Sequence, residues 1–298
     1  MPWSKIWSLI EMPLLFLPRW WPAIILLLPI IINSQLVIAQ KKKVLLTITL
    51  IIFFYLDFHV PVKKFITKST EKSFQVMSIN LGGKIKNPAA FKEYLIDNQL
   101  SLIAFQETPE REAKKITPQG WDLHCIGQMC LASAYKLKYI DSQSRKFFGG
   151  WGQLGLLYQT KINNQTVNVM NLHLETPRKG FEDFQLSKLN FEVVFKNTEQ
   201  RYLESNIIAS WLKNKTPTII LGDFNMPVES SIYRENFSIY KNAFNEAGFG
   251  FGFTKFTRLL GVRIDHILIS NNFNVLDAKV NQDFGSDHKA ILAELMFD

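Results

Sequence analysis

The chain has little cysteine, no internal repeat and no low-complexity segment outside its apolar N-terminal region. The lack of repeats excludes an array architecture, in which each unit buries its apolar face only against its neighbours. The only cysteines, Cys125 and Cys130, lie five apart around Gly127 in what reads as strand, turn and strand. A disulfide between them would imply an oxidising compartment. A basic excess is missing where a nucleic-acid binder would carry it. Residues 1–72 hold nine Lys or Arg against three acids. Of the formal net charge of +8, only +2 therefore falls on residues 73–298, as 25 bases against 23 acids. Strong non-specific nucleic-acid binding rests on many Lys and Arg contacts to phosphate. A nearly neutral domain argues against it, a local basic patch aside.

What residues 1–72 do have is apolar length. Ala23–Ile32 and Val44–Leu56 are apolar runs separated by Lys41, Lys42 and Lys43. A bilayer span takes about 20 mostly apolar residues. The pattern predicts a membrane anchor over 1–72, with transmembrane helices at about 20–40 and 44–60. A stretch at 6–18, interrupted by Glu11 and Pro13, is either interfacial or a third span. A cleaved signal peptide fits poorly, because no small-x-small site follows the first run and a second run comes directly after. Trp3, Trp7, Trp20 and Trp21 suit the bilayer interfaces. The lipid bilayer is thus an expected partner. A cytoplasmic loop at 41–43 would send residues 73–298 across the membrane. Lys63, Lys64, Lys68 and Lys72 argue for the reverse, and the cysteine pair tips the balance to an extracytoplasmic domain.

After residue 72, polar residues recur at the ends of short apolar runs. They are Asn80 after Phe74–Ile79, Glu107 after Leu102–Gln106, and His173 after Val167–Leu172. Asp223 and Asn225 follow Thr218–Gly222, and the order closes with Arg263-Ile264-Asp265 and Gly285-Ser286-Asp287-His288. Each cluster by itself fits a turn, since Gly, Asp and Asn suit turn geometry. Six in one domain point to chemistry carried on strand ends. Were the strand to continue through Asn225, Asp223 and Asn225 would share a face.

In order and spacing, this set resembles the endonuclease/exonuclease/phosphatase superfamily, whose members share the fold of pancreatic deoxyribonuclease. The resemblance covers residues 73–298 and implies a four-layer α/β/β/α sandwich. One departure is Gly82, where several nucleases of the superfamily carry an acid. The resemblance implies a metal-dependent hydrolase of phosphate esters or anhydrides. Glu107 is then the main ligand of Mg²⁺ (Mn²⁺ the alternative), with Asn80 beside it and Asp287 a further ligand. Hard oxygen ligands suit such an ion. Asp265 would orient and support His288, and Asp223 would position or deprotonate the attacking water. The choice of base between Asp223 and His288 stays open. Asn225 and His173 would donate to the non-bridging phosphate oxygens. His124 and His266 have no place in the pattern and read as structural.

Local patterns fill in the architecture. Asn87-Pro88 opens a helix with Phe91 and Leu95 on one face. Residues 184–213 read as an amphipathic helix burying Leu186, Leu189, Phe191, Val194, Leu203, Ile207 and Trp211. Two loops mix aromatics, bases and glycines, Arg145–Gly152 and Phe249–Arg258. Such loops suit stacked bases, a lipid interface or partial burial. Arg178 and Lys179 follow His173 where a second phosphate would lie. The substrate expected is a phosphate ester or pyrophosphate of a lipid-linked molecule. The alternatives are a nuclease acting on DNA or RNA and a catalytically silent membrane scaffold. Retention of Glu107, Asp223, Asn225, Asp265, Asp287 and His288 together opposes the scaffold.

Overall fold

A computed structural model describes residues 2–16, 24, 25, 28, 38–61, 72–182, 191–256, 261–280 and 284–298. Fourteen strands are formed among them. They are β1 Phe74–Asn80, β2 Leu100–Gln106, β3 Asp122–Ile126, β4 Met129–Ser133, β5 Lys138–Ser144, β6 Gln153–Ile162 and β7 Gln165–His173. The remainder are β8 Thr218–Asp223, β9 Lys241–Asn242, β10 Lys255–Phe256, β11 Gly261–Val262, β12 Asp265–Ile269, β13 Phe273–Val280 and β14 Ile291–Phe297. Two six-stranded mixed sheets result, ordered β13-β14-β1-β2-β4-β3 and β5-β6-β7-β8-β12-β9.

Strand alternation builds the layers. Val76, Leu102 and Ala104 of the first sheet meet Leu156, Val169, Ile219, Leu221 and Ile267 of the second in one core between the sheets. Their neighbours Met77, Ile79, Ile103 and Phe105 face outward under the helices Pro88–Asp97 and Glu110–Ile116. On the far side Leu157, Met170, Ile220 and Leu268 lie under the helices Phe191–Leu212 and Ser231–Phe237. The central strands β1, β2, β8 and β12 are covered on both faces and are buried along most of their length. The expected α/β/β/α sandwich is formed. β7 and β8 approach closely: a Cβ on Gly222 would lie 2.1 Å from the Leu172 carbonyl oxygen, so only glycine fits there.

The helix Pro88–Asp97 forms as its sequence predicts. Asn87 Oδ1 accepts from the Ala90 amide at 3.1 Å, Pro88 takes the first turn, and Phe91 and Leu95 are buried. The second helix departs from expectation. Over Phe191–Leu212 it buries Val194, but Phe191 and Leu203 are exposed, while Asn197, Arg201, Glu204 and Ser205 lie inside. Leu186 and Leu189 lie outside the described residues. The inward face is polar from Asn197 to Ser205, where Arg201 reaches the Asn225 carbonyl and Glu204 meets Arg145, and apolar at Ile208 and Leu212.

The expected span at 20–40 lies almost wholly outside the described residues. That at 44–60 falls on the helix Ile38–Leu50, the π turn Ile51–Tyr55 and the segment after it. Among the described residues no helix is long and apolar enough to cross a membrane, which corrects the expectation of transmembrane helices there. The stretch at 6–18 departs from it in a second way. The helix Pro2–Phe16 packs on the sandwich, with Ser8, Met12 and Leu15 buried. Glu11, out of place in a bilayer, accepts from the Ser231 amide at 2.6 Å and its hydroxyl at 2.9 Å. Residues 57–59 are held too: Asp57 pairs with Arg263, and His59 exchanges backbone hydrogen bonds with Gly250, each 2.9 Å.

Candidate active site

Catalytic candidates gather where the inter-sheet faces change from apolar to polar. β1 and β2 run parallel, with Asn80 opposite Gln106; β7 and β8 run parallel, with His173 opposite Asp223. β12 starts at the same end, antiparallel, with Asp265 opposite Asp223. Asn80 continues the inward face of Val76, and Asp223 that of Ile219 and Leu221. Period-two alternation therefore aims these side chains into the gap between the sheets.

Beneath them the sheets are joined by buried amides. Gln106 Nε2 donates to Asn171 Oδ1 at 2.7 Å, and Asn171 Nδ2 donates to the carbonyls of Phe105 and Cys130. Above this layer Asn80 Nδ2 lies 3.1 Å from both Glu107 Oε1 and Asp223 Oδ2. Gly82, in the left-handed region at φ +57°, brings its amide back to Asn80 Oδ1 at 3.0 Å. An acid at that position would strain the turn. Glu107 itself has φ +47°. Thr108, whose hydroxyl and amide bond the carbonyls of Gln106 and Gln128 at 2.8 Å each, braces that corner. Non-glycine residues in this region are held only where the surroundings over-determine them.

His173 Nε2 stands 3.5 Å from Glu107 Oε1 and 3.8 Å from Asp223 Oδ2. Burial and the Arg145 guanidinium push it down to about 4, so the ring is neutral at pH 7. His288 Nδ1 lies 2.9 Å from Asp265 Oδ2, and its Nε2 lies 3.8 Å from Asp223 Oδ2. Burial alone would lower His288, but the two carboxylates outweigh it and raise it to about 9. Asp223 is raised to about 7 by burial and by its neighbour Asp265. Asp223, Asp265 and His288 lie within 4.8 Å of one another at their polar atoms. His288 Nδ1 is committed to Asp265, while its Nε2 faces Asp223 beyond hydrogen-bond distance. The hard oxygen ligand suited to a divalent cation is Glu107, whose Oε1 lies 3.1 Å from Asn80 Nδ2.

Two sequence candidates sit differently from expectation. β8 ends at Asp223, so Asn225 shares no strand face with it; at φ +51° it turns back. Its amide donates to Asp223 Oδ1 at 2.8 Å, and its Nδ2 donates to the Leu174 carbonyl at 2.9 Å. Asp287 is exposed at the rim and pairs with Lys255, which outweighs partial burial and lowers its pKa. His266 is buried between Asn242 and the Met226 carbonyl, and half-exposed His124 lies 3.7 Å from Asp122, as structural histidines.

Several residues support the site through contacts that the sequence patterns did not assign to them. Arg145 donates to the His173 carbonyl and pairs with buried Glu204 at 2.9 Å. Arg201 donates to the Asn225 carbonyl at 3.2 Å. Arg263, two residues before Asp265, is buried, lies 4.6 Å over the Phe244 ring and pairs with Asp57. Arg145 and Arg263 stand in patterns visible in the sequence, but their partners Glu204 and Asp57 lie far away along the chain.

Residues 77–288 match the model of the Endonuclease/Exonuclease/phosphatase family. No curated protein matches the chain in sequence. Solved structures similar to it include an endonuclease/exonuclease/phosphatase from Bacteroides vulgatus, at 16% identity and TM-score 0.56. The alignment covers 76% of this chain and 100% of that one. A mannosyl-6-phosphatase from Bacteroides thetaiotaomicron is 15% identical with TM-score 0.53, covering 75% and 100%. The 3′ phosphatase NExo from Neisseria, bound to a product DNA hairpin, is 17% identical with TM-score 0.56, covering 76% and 99%. The fold, the ordered strand-end residues and the family match agree: this chain belongs to the endonuclease/exonuclease/phosphatase family and is a metal-dependent hydrolase of phosphate esters or anhydrides.

Proposed function

We propose that the chain is a membrane-anchored, Mg²⁺-dependent phosphohydrolase whose substrate is a phosphate ester or pyrophosphate carried by a lipid. The observation that carries this reading is the attachment of the exposed apolar segment 38–61 beside Asp265. The helix Ile38–Leu50 buries no residue and exposes Ile38, Leu45 and Leu46. The segment that follows it is bound through Asp57 to Arg263, two residues from Asp265. An exposed apolar surface of this kind suits a lipid environment, and its attachment brings that environment near the site. The near-neutral charge of residues 73–298 points the same way.

Glu107, with Asn80 beside it and Asp287 at the rim, would hold the cation, which would supply charge neutralisation at the transferring phosphoryl group. Asp223 is the base for the attacking water. It is buried and raised to about 7, and it carries no proton donor from His288 closer than 3.8 Å. His288, charged between two carboxylates, has no lone pair with which to act as base; it opposes the charge that develops on phosphoryl oxygen. Neutral His173 donates a hydrogen bond to the same group. Asn225 fixes the orientation of Asp223 through its backbone amide.

Purified full chain with Mg²⁺, assayed on vesicle-borne lipid phosphates and on DNA, tests the substrate. Phosphate release from lipid without DNA cleavage is expected. Robust DNA cleavage with no lipid hydrolysis would establish the nuclease reading instead. We further propose that the domain is extracytoplasmic, supported by the Cys125–Cys130 disulfide. Protease protection in intact spheroplasts, with both thiols open to alkylation after lysis, would overturn that placement.

A further inference from the structure

Beside His173 lies a turn that the catalytic chemistry does not use. Arg145–Phe148 form a single 3₁₀ turn after β5, and residues 149–152 lead into β6. The inner side of this turn is fixed. Arg145 is buried, pairs with Glu204, and donates to the carbonyls of Gln153 and His173. Ser144 Oγ caps the turn by accepting from the Lys146 amide at 3.3 Å. Gly149 closes it in the left-handed region at φ +70°, with its amide on the Lys146 carbonyl. The outer side is bare. Phe147 is 85% exposed and Trp151 88%, the two most exposed large apolar side chains among the described residues. Isolated exposed hydrophobics are ordinary. Two such aromatics on a braced turn, one hydrogen bond from a catalytic histidine, are not.

We infer that this turn is an interfacial foot: Phe147 and Trp151 seat in a lipid surface and thereby bring the His173 side of the active site to a membrane-borne phosphate. The inference rests on the lipid-phosphate reading above. Three observations select lipid over a stacked nucleic-acid strand. Single strands need a basic track for their phosphates beside the aromatic platform, yet Arg145 points inward to Glu204 and leaves Lys146 as the exposed base of the turn. Aromatic side chains next to a lysine match the composition of membrane-interface anchors. A second apolar surface attaches just beyond His173. The helix Pro2–Phe16, with Trp7 and Ile10 exposed, places Met12 against Gly180, where an added Cβ would stand 3.1 Å from its methyl group.

The test uses the full chain reconstituted in phosphatidylcholine–phosphatidylglycerol vesicles. The fluorescence difference between wild type and W151F isolates Trp151. Bromolipid should quench most of that difference, and aqueous acrylamide little of it. Quenching by acrylamide alone, or by added oligothymidylate and not bromolipid, would overturn the inference. In parallel, F147S/W151S should turn over the soluble diester bis(p-nitrophenyl) phosphate as wild type does. It should release phosphate from vesicle-borne ester roughly tenfold or more slowly, as removing two buried aromatics from the interface implies. Equal losses on both substrates would also overturn it, marking the turn as part of the catalytic frame. Should wild type release nothing from any lipid phosphate, the substrate reading fails, while the position of Trp151 in or out of the bilayer still decides this inference.

Discussion

Asp265 and His288 show how one contact sets the charge of a candidate catalytic group. His288 keeps its proton up to about pH 9 because burial, which opposes charge, is outweighed by Asp265 and Asp223. Activity that needs the imidazolium is present below that pKa and is lost as pH rises through it. Asp265→Asn removes the larger supporting charge, so the alkaline limb of the pH–rate profile should move to lower pH. Turnover at neutral pH should fall by about 10²-fold or more, the usual scale for a positioned acid–base group. A profile superimposable on wild type would show that His288 does not act as a cation. At Glu107 the expected behaviour differs. Glu107→Gln keeps the shape of the corner but removes a hard anionic ligand. A strong loss of turnover at low Mg²⁺, partly recovered at high Mg²⁺, is expected in a metal titration. Unchanged turnover would take Glu107 out of the metal site. These residues were legible in the sequence because each ends an apolar run, a local pattern. Asn225 shows the limit: its spacing from Asp223 suggested a shared strand face, but the strand stops and the chain turns back.

The helix Phe191–Leu212 buries Val194 and packs Ile207 and Trp211 on the core as periodicity expects, but it carries its support for the site on polar residues that periodicity left out. Leu203 sits outside, and Arg201, Glu204 and Ser205 sit inside, because the helix supplies polar support behind His173 and Asn225. Glu204 accepts from Arg145 Nε at 2.9 Å and from the Glu175 amide at 2.7 Å. Arg145 and Glu204 are 59 residues apart in sequence, and no local pattern announces such a pair. Removing one partner of a buried ion pair leaves the other charge uncompensated, at a cost of about 3–5 kcal/mol. Glu204→Ala should therefore lower the denaturation midpoint strongly and impair turnover, since Arg145 also holds the His173 carbonyl. A midpoint within experimental error of wild type would show that water replaces Glu204 at no cost.

At the scale of the molecule, sequence composition divides the chain at residue 72, but contacts cross that line. Glu11 caps the helix Ser231–Phe237, Phe16 lies 5.7 Å from the Arg201 guanidinium, and Asp57 neutralises Arg263. Arg201 and Arg263 are both buried; Arg201 donates to the Asn225 carbonyl, and Arg263 lies two residues before Asp265 in the chain. An apolar N-terminal region read only as an anchor would be removable, and the catalytic part would fold unchanged without it. The contacts predict otherwise. A chain beginning at residue 73 should unfold at a clearly lower temperature than the full chain in the same detergent. Asp57→Ala in the full chain should reproduce part of that loss, because buried Arg263 is then left without its carboxylate. Its turnover on a soluble phosphodiester should fall as well, as Arg263 sits two residues from Asp265. Equal melting temperatures and equal turnover for the truncated and full chains would reduce these contacts to incidental packing. A loss of both, reproduced by the single Asp57 change, would make residues 1–61 part of the catalytic unit.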